Sequence, residues 1–258
     1  MQHVKYFQVA QGVWGMRIRY VNIYMVANRK GFAKGWVLVD TGPSGSAAKI
    51  RAMARSLFGE NDIPEAIILT HGHPDHSGAV MALLKRWDVP VYAHPLEIPY
   101  LTGQSAYPPP DPTVGHGLMS LMSVIFSKKQ VNLGNRIRAI DMTVPLSGLP
   151  EWKVIHTPGH TPGHISLFFP LNTTLIAGDA ISTTRPESAI AVLTNYKKIS
   201  GPPMYMTPDW QAAEASVKKL HDLQPRILAP GHGPVMRGRE LKEDLDELAN
   251  RFKEIAVP

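Results

Sequence analysis

No cysteine occurs anywhere in the 258 residues, which excludes disulfides, thiolate metal ligands and cysteine nucleophiles. Any metal must be held by nitrogen and oxygen. Long apolar runs are missing too: nothing approaches the roughly 18 residues that a membrane span needs. The start, Met1-Gln2-His3-Val4-Lys5-Tyr6, lacks the basic-then-apolar layout of a secretory signal. The expectation is a cytoplasmic protein with no membrane partner. Clustered charge is also absent. The formal net charge is +6, yet the longest basic runs are pairs such as Lys128-Lys129 and Lys197-Lys198. Dispersed positive charge attracts small anions mildly and does not build a nucleic-acid surface. With 44% hydrophobic and 19% charged residues, the rest is that of a globular protein long enough for a substantial core.

What is present is histidine, concentrated. Residues 70–78 read Thr-His-Gly-His-Pro-Asp-His-Ser-Gly, directly after the apolar stretch Ala66-Ile67-Ile68-Leu69. On an extended segment, side chains two apart share a face, so His71 and His73 can grip one ion. Pro74 keeps His73 out of the helical region, the chain turns, and Asp75 and His76 project elsewhere, toward a second ion. Neutral imidazole with carboxylate suits zinc, and also iron or manganese.

Periodicity places this run in an alternation of strands and helices. Val4–Ala10, Met16–Ala27 and Trp36–Asp40 read as strands, with a turn at 28–31. A helix over Ser44–Phe58, the strand Ala66–Leu69, a helix over Ser77–Trp87 and the strand Val91–His94 follow. Strands near Arg136–Ile140, Trp152–His156, Ile165–Phe169 and Thr174–Ala177 lead to a helix at Asp209–Leu223. A strand at Arg226–Leu228 and a helix at Arg239–Ile255 complete the chain. No clean linker interrupts 1–258, so a single domain is expected. Residues 103–130 break the order, with Pro108-Pro109-Pro110 and an apolar helix over 118–126. That helix reads as core packing, as a lid, or as a homodimer contact.

Three more clusters sit at strand ends: His156-Thr157-Pro158-Gly159-His160-Thr161-Pro162-Gly163-His164, Gly178-Asp179, and Gly231-His232-Gly233. Strand ends are natural suppliers of a site. Together with Val39-Asp40-Thr41-Gly42 and residues 70–78, these motifs resemble the metallo-β-lactamase-fold hydrolase superfamily over nearly the full length. The resemblance implies an αββα sandwich, two mixed β-sheets flanked by helices. It also implies two divalent ions, zinc first, with iron or manganese as alternatives. His71, His73 and His160 would hold one ion, and Asp75, His76 and His232 the other. Asp179 would bridge them together with a water or hydroxide. Asp75 would orient that water and relay its proton. Asp40 would orient a ligand imidazole, and His164 would be a hydrogen-bonded supporting residue.

The substrate class follows from departures within the family. Flavodiiron members carry Glu where His73 stands, and classical zinc β-lactamases generally lack the Asp at 179. Glyoxalase II thioesterases match the ligands but add a helical extension. Lactonases match residues 157–164 but place a Tyr soon after the bridging Asp, where this chain has Ile181-Ser182-Thr183-Thr184. Tyr196 or Tyr205 is the substitute phenol. With Met119, Met122 and Phe126 they are the expected wall of an apolar pocket for a small-molecule substrate. The reading is a dinuclear hydrolase of a small ester, lactone or thioester, promiscuous toward phosphoesters. Its alternatives are a mononuclear iron enzyme like the persulfide dioxygenases and a non-enzymatic binding member of the fold.

Overall fold

The computed structural model describes residues 5–28, 35–60, 63–115, 117–123 and 131–258. The expected turn at 28–31 lies largely outside these residues, as do the candidate Phe126 and the rest of 124–130 in the expected lid. The chain divides into two compact units, one of residues 1–106 and 129–151, the other of 107–128 and 152–258.

The first unit holds strands β1 (Phe7–Ala10), β2 (Val13–Ile18), β3 (Val21–Ala27), β4 (Trp36–Val39), β5 (Ala66–Ile68), β6 (Val91–Ala93) and β7 (Ile137–Ala139). They form one mixed sheet in chain order, antiparallel from β1 to β4 and parallel from β4 to β7. The sequence reads 16–27 as one strand, but the structure makes it a hairpin. Arg19, at φ 60°, turns the chain without a glycine or asparagine to signal it. Parallel strands need crossovers, and helices α1 (Ala47–Phe58), α2 (Pro74–Ser77) and α3 (Val80–Leu84) lie along them. A fourth, α4 (Ile98–Leu101), follows β6 and was not expected. The expected helix over 77–87 is shorter than its periodicity implied.

Helix α1 buries Ile50, Met53 and Ala54, the i, i+3, i+4 stripe of an amphipathic helix, in one core with Leu38, Ile67 and Leu69 of the sheet. Ile50 and Met53 each contribute about 1.5–3 kcal/mol by leaving water. The aromatic end of this core is ordered as well: Trp36 stacks on Phe58 at 4.7 Å and meets Trp87 edge-on at 5.6 Å. Both faces of β4 and β5 are buried, which is why these strands read as unbroken apolar runs instead of alternating.

The second unit begins with α5 (Leu118–Met122) and holds β8 (Lys153–His156), β9 (Ile165–Phe169), β10 (Thr174–Gly178), β11 (Ile227–Pro230) and β12 (Met236–Arg237). Their order is β12-β11-β10-β9-β8, with β10 and β11 parallel and the other neighbours antiparallel, so this sheet is mixed too. Helices α6 (Ala189–Thr194), α7 (Trp210–Asp222), α8 (Gly238–Asn250) and α9 (Phe252–Ile255) follow. Asp209 caps α7 by accepting the Ala212 N–H at 2.9 Å. Val217 and Leu220 of α7 and Leu241, Leu245 and Leu248 of α8 share a core with Leu175 and Leu228 of the sheet. The expected single helix over 239–255 is broken at Arg251, whose backbone leaves the helical region at φ −122° and ψ 32°. Two mixed sheets, each flanked by helices, are the fold class that the sequence motifs imply.

Candidate metal centre

In the first unit, the site begins where parallel strands β4 and β5 end side by side, the usual place for ligands in such sheets. Asp40 follows β4 in the left-handed region, at φ 60°. That uncommon backbone turns its carboxylate toward the chain leaving β5. Its Oδ1 accepts the Thr70 N–H at 2.8 Å, and its Oδ2 accepts the Thr70 hydroxyl and His76 Nδ1–H, both at 2.8 Å. The His71 ring lies 4.7 Å from that of His73 and 4.3 Å from that of His76, centroid to centroid. His73 sits at φ −59° and ψ 147°, the extended conformation that Pro74 imposes, and α2 starts at that proline. An Asp75 oxygen lies 3.8 Å from His76 Nε2. Glycine is obligatory at 78, because a Cβ there would meet the Pro74 carbonyl oxygen at 2.3 Å and the Ser44 nitrogen at 2.6 Å.

Sequence reasoning missed Glu97. It is fully buried just after β6, and its Oε2 accepts the Gly72 N–H at 2.9 Å, pinning the peptide between His71 and His73. The available signal was an acid within Pro95-Leu96-Glu97-Ile98-Pro99, an apolar stretch at a strand end.

In the second unit, parallel β10 and β11 deliver Asp179 and His232 to neighbouring positions. The Gly231 N–H donates to the Gly178 carbonyl at 2.7 Å, and His232 Nε2 lies 3.1 Å from Asp179 Oδ2. His160 Nε2 approaches the same oxygen at 3.4 Å. Gly233, at φ 100°, lets this turn lie flat on Thr183, where a Cβ would sit 2.6 Å from the carbonyl carbon.

The hydrogen bonds assign the imidazole tautomers. A carboxylate only accepts, so Asp40 places the His76 proton on Nδ1. Thr70 gives its one proton to Asp40 and therefore accepts from His71 Nδ1–H at 3.0 Å. Thr207 donates to the Pro203 carbonyl at 2.7 Å and so accepts from His160 Nδ1–H at 3.2 Å. In all three rings Nε2 then carries the lone pair that a metal ion takes. His160 Nε2 and the Asp179 carboxylate are thus two electron-pair donors facing each other at close range, an arrangement that a shared cation relieves. The donor set fits divalent metal ions.

His164 uses both nitrogens inside the protein. Nε2 accepts the Asp179 N–H at 2.9 Å, and Nδ1–H donates to Thr157 at 2.8 Å. Of the candidate pocket residues, Met119 is half-buried, Met122 and Tyr196 are exposed, and Tyr205 is buried with its carbonyl accepting the Asp111 N–H at 2.9 Å. A cavity of this unit is lined by the neighbours Leu118 and Met204, and by none of these four.

The sequence profile of the metallo-beta-lactamase superfamily matches residues 16–232, and the chain belongs to that superfamily. Among its relatives is the probable metallo-hydrolase YflN of Bacillus subtilis (strain 168), 43% identical over 251 residues, which are 96% of this chain and 94% of the relative. A solved structure named TTHA1623, in a di-iron-bound form, is 28% identical with a TM-score of 0.60, covering 86% of this chain and 92% of that one. The metallo-beta-lactamase family protein TTHA1429 from Thermus thermophilus shares the fold at a TM-score of 0.65 and 18% identity, over 96% of this chain and 81% of its own.

Proposed function

We propose that this chain is a dinuclear metal-dependent hydrolase of small esters, lactones or thioesters, with side activity on phosphoesters. The observation that supports it most is the common tautomer of His71, His76 and His160, each fixed through Nδ1 so that Nε2 is offered outward. In this reading His71, His73 and His160 hold one divalent ion, Asp75, His76 and His232 hold a second, and Asp179 contacts both. Zinc suits these ligands, and the di-iron form of the 28%-identical structure makes iron the main alternative. When bound, such ions lower the pKa of water toward neutrality and polarise the oxygen that gains charge.

The chain's own residues do the rest. Asp40 holds His76 and Thr70 in register, and Glu97 holds the Gly72 peptide. The Asp75 side chain is 20% exposed, whereas those of Asp40 and Asp179 are 4% and 3% exposed. Asp75 is therefore the acid that an incoming water can reach, and it orients that water and takes its proton. The substrate is a small molecule, and Met119, Met122, Tyr196 and Tyr205 remain candidates for contacting it. The segment 103–130 is the candidate lid.

The test is elemental analysis of purified protein, followed by an ester, lactone, thioester and phosphoester panel on zinc-, manganese- and iron-loaded samples. Two ions per chain with turnover of at least one carboxylic substrate is the expected result. One iron per chain with oxygen consumption on a sulfur substrate would establish the dioxygenase reading instead. Full metallation with no turnover on any panel member would leave a binding protein.

A further inference from the structure

The second unit contains a cavity of about 1020 Å³, large enough for a drug-sized ligand. Its wall joins two short segments. The Met119 N–H donates to the Glu187 carbonyl at 3.0 Å, and a Cβ on Gly117 would lie 2.0 Å from that oxygen. Residues 117–119 are thus held against the Glu187 backbone, which fixes this wall of the cavity.

Five charged side chains line it: Arg185, Glu187, Lys198, Glu247 and Glu254. Four are engaged within the protein. Lys198 lies 3.8 Å from Glu247, and Glu254 pairs with Arg251 at 2.6 Å. Glu187 is buried and accepts the Met204 N–H at 2.8 Å. Arg185 is exposed, with the Glu187 carboxyl as an electrostatic neighbour and no ion pair within 4 Å among the described residues. The lining also carries the aliphatic side chains of Leu118, Ile190, Ile199, Ile255 and Val257, and part of this surface faces solvent: Leu118 is 56% and Ile190 75% exposed, with Leu193 of the same helix at 84%. Aliphatic side chains that stay open to water along a cavity mark a surface built to be covered.

We propose that this cavity binds an amphipathic monocarboxylate, with the carboxylate on Arg185 and the hydrocarbon chain against Leu118, Ile190, Ile199, Ile255 and Val257. A guanidinium matches a carboxylate in shape and charge, and the aliphatic wall matches the chain. A cationic amphiphile would meet Arg185 head-on. A short carboxylate would leave the wall wet. The site uses none of the residues assigned to metal, so it does not rest on the hydrolase reading.

The experiment is calorimetric titration of metal-loaded protein with decanoate below its micelle concentration, beside acetate and decyltrimethylammonium. One decanoate per chain is expected, with the other two probes at least about tenfold weaker. Arg185→Gln and Ile190→Ser should each weaken decanoate about tenfold while keeping the parent's thermal midpoint. Any other pattern overturns the proposal. Unchanged affinity in both variants would assign the carboxylate to the metal ions, and equal binding of the cation would remove Arg185 from the site. Absence of saturation by about 1 mM would mean that the cavity takes no such ligand.

Discussion

The two units present their candidate ligands in different ways. The first supplies His71, His73, Asp75 and His76 from a single turn, and anchors His76 directly on the Asp40 carboxylate and His71 on the Thr70 hydroxyl that this carboxylate holds. The second supplies His160, Asp179 and His232 from three strand ends, and anchors His160 and His164 through the neutral hydroxyls of Thr207 and Thr157. A carboxylate behind an imidazole both orients it and makes it a stronger electron donor, whereas a hydroxyl only orients it. In the proposed reading, His76 should therefore grip metal through charge as well as geometry, and His71 and His160 through geometry.

Asp179 belongs to neither pattern, since two imidazoles face one of its oxygens. Asp179→Ala should have the largest effect: metal content falling below one ion per chain, and hydrolysis dropping by about 10³-fold or more. Retention of two ions by elemental analysis would rule out its bridging position. Next is Asp40→Asn. Asparagine tolerates the left-handed backbone, but its amide has a single oxygen for three incoming donors. Metal affinity should fall about 10–100-fold in chelator competition while the fold persists by circular dichroism. Thr207→Val removes only a hydroxyl, so its loss should be milder, about tenfold or less. If it equals the Asp40→Asn loss, the contrast between charged and neutral anchoring is wrong.

The smallest effect concerns stability. Burial holds the Glu187 carboxyl above its ordinary value, against the opposing pull of the Met204 N–H. The unfolded chain then gives up this proton at lower pH than the folded one. The stabilisation is complete below the unfolded pKa and is lost as pH rises through the folded one. Glu187→Gln keeps the acceptor for Met204 without the buried charge. It should raise the thermal midpoint at pH 7 to 8, with the gain shrinking toward pH 4.5. A gain independent of pH would place its origin elsewhere.

Much of this was legible in the sequence, for identifiable reasons. A run such as His71-Gly72-His73-Pro74-Asp75-His76 shows itself because its ligands are sequence neighbours and a proline fixes the turn. The β9 strand, Ile165–Phe169, was readable to the residue because it is short, fully buried and apolar except for Ser166. Other features lie in tertiary structure. Arg19 turns a hairpin in a conformation that its residue type does not advertise. Glu97 reaches Gly72 across 25 residues of sequence. Helix α6 is six residues long, too short for a period to register, and depends on Ser188 capping the Ala191 N–H. The second unit's cavity is assembled from segments that pack against Glu187, which no local pattern reports.

The bonds behind His164 continue past Thr157. Ser166 donates to the Ala177 carbonyl at 2.9 Å, so the Thr157 hydroxyl donates to Ser166 at 3.0 Å and accepts from His164 Nδ1–H. The row terminates on backbone carbonyls, that of Ala177 and, 3.5 Å from the Thr157 hydroxyl, that of His164, which have no proton to pass on. It is an insulator rather than a wire. A histidine beside a buried carboxylate would ordinarily be a route for protons into the interior. Here both nitrogens are engaged inside the protein, and the ring works as a rivet, tying the Asp179 backbone to β9 and β10.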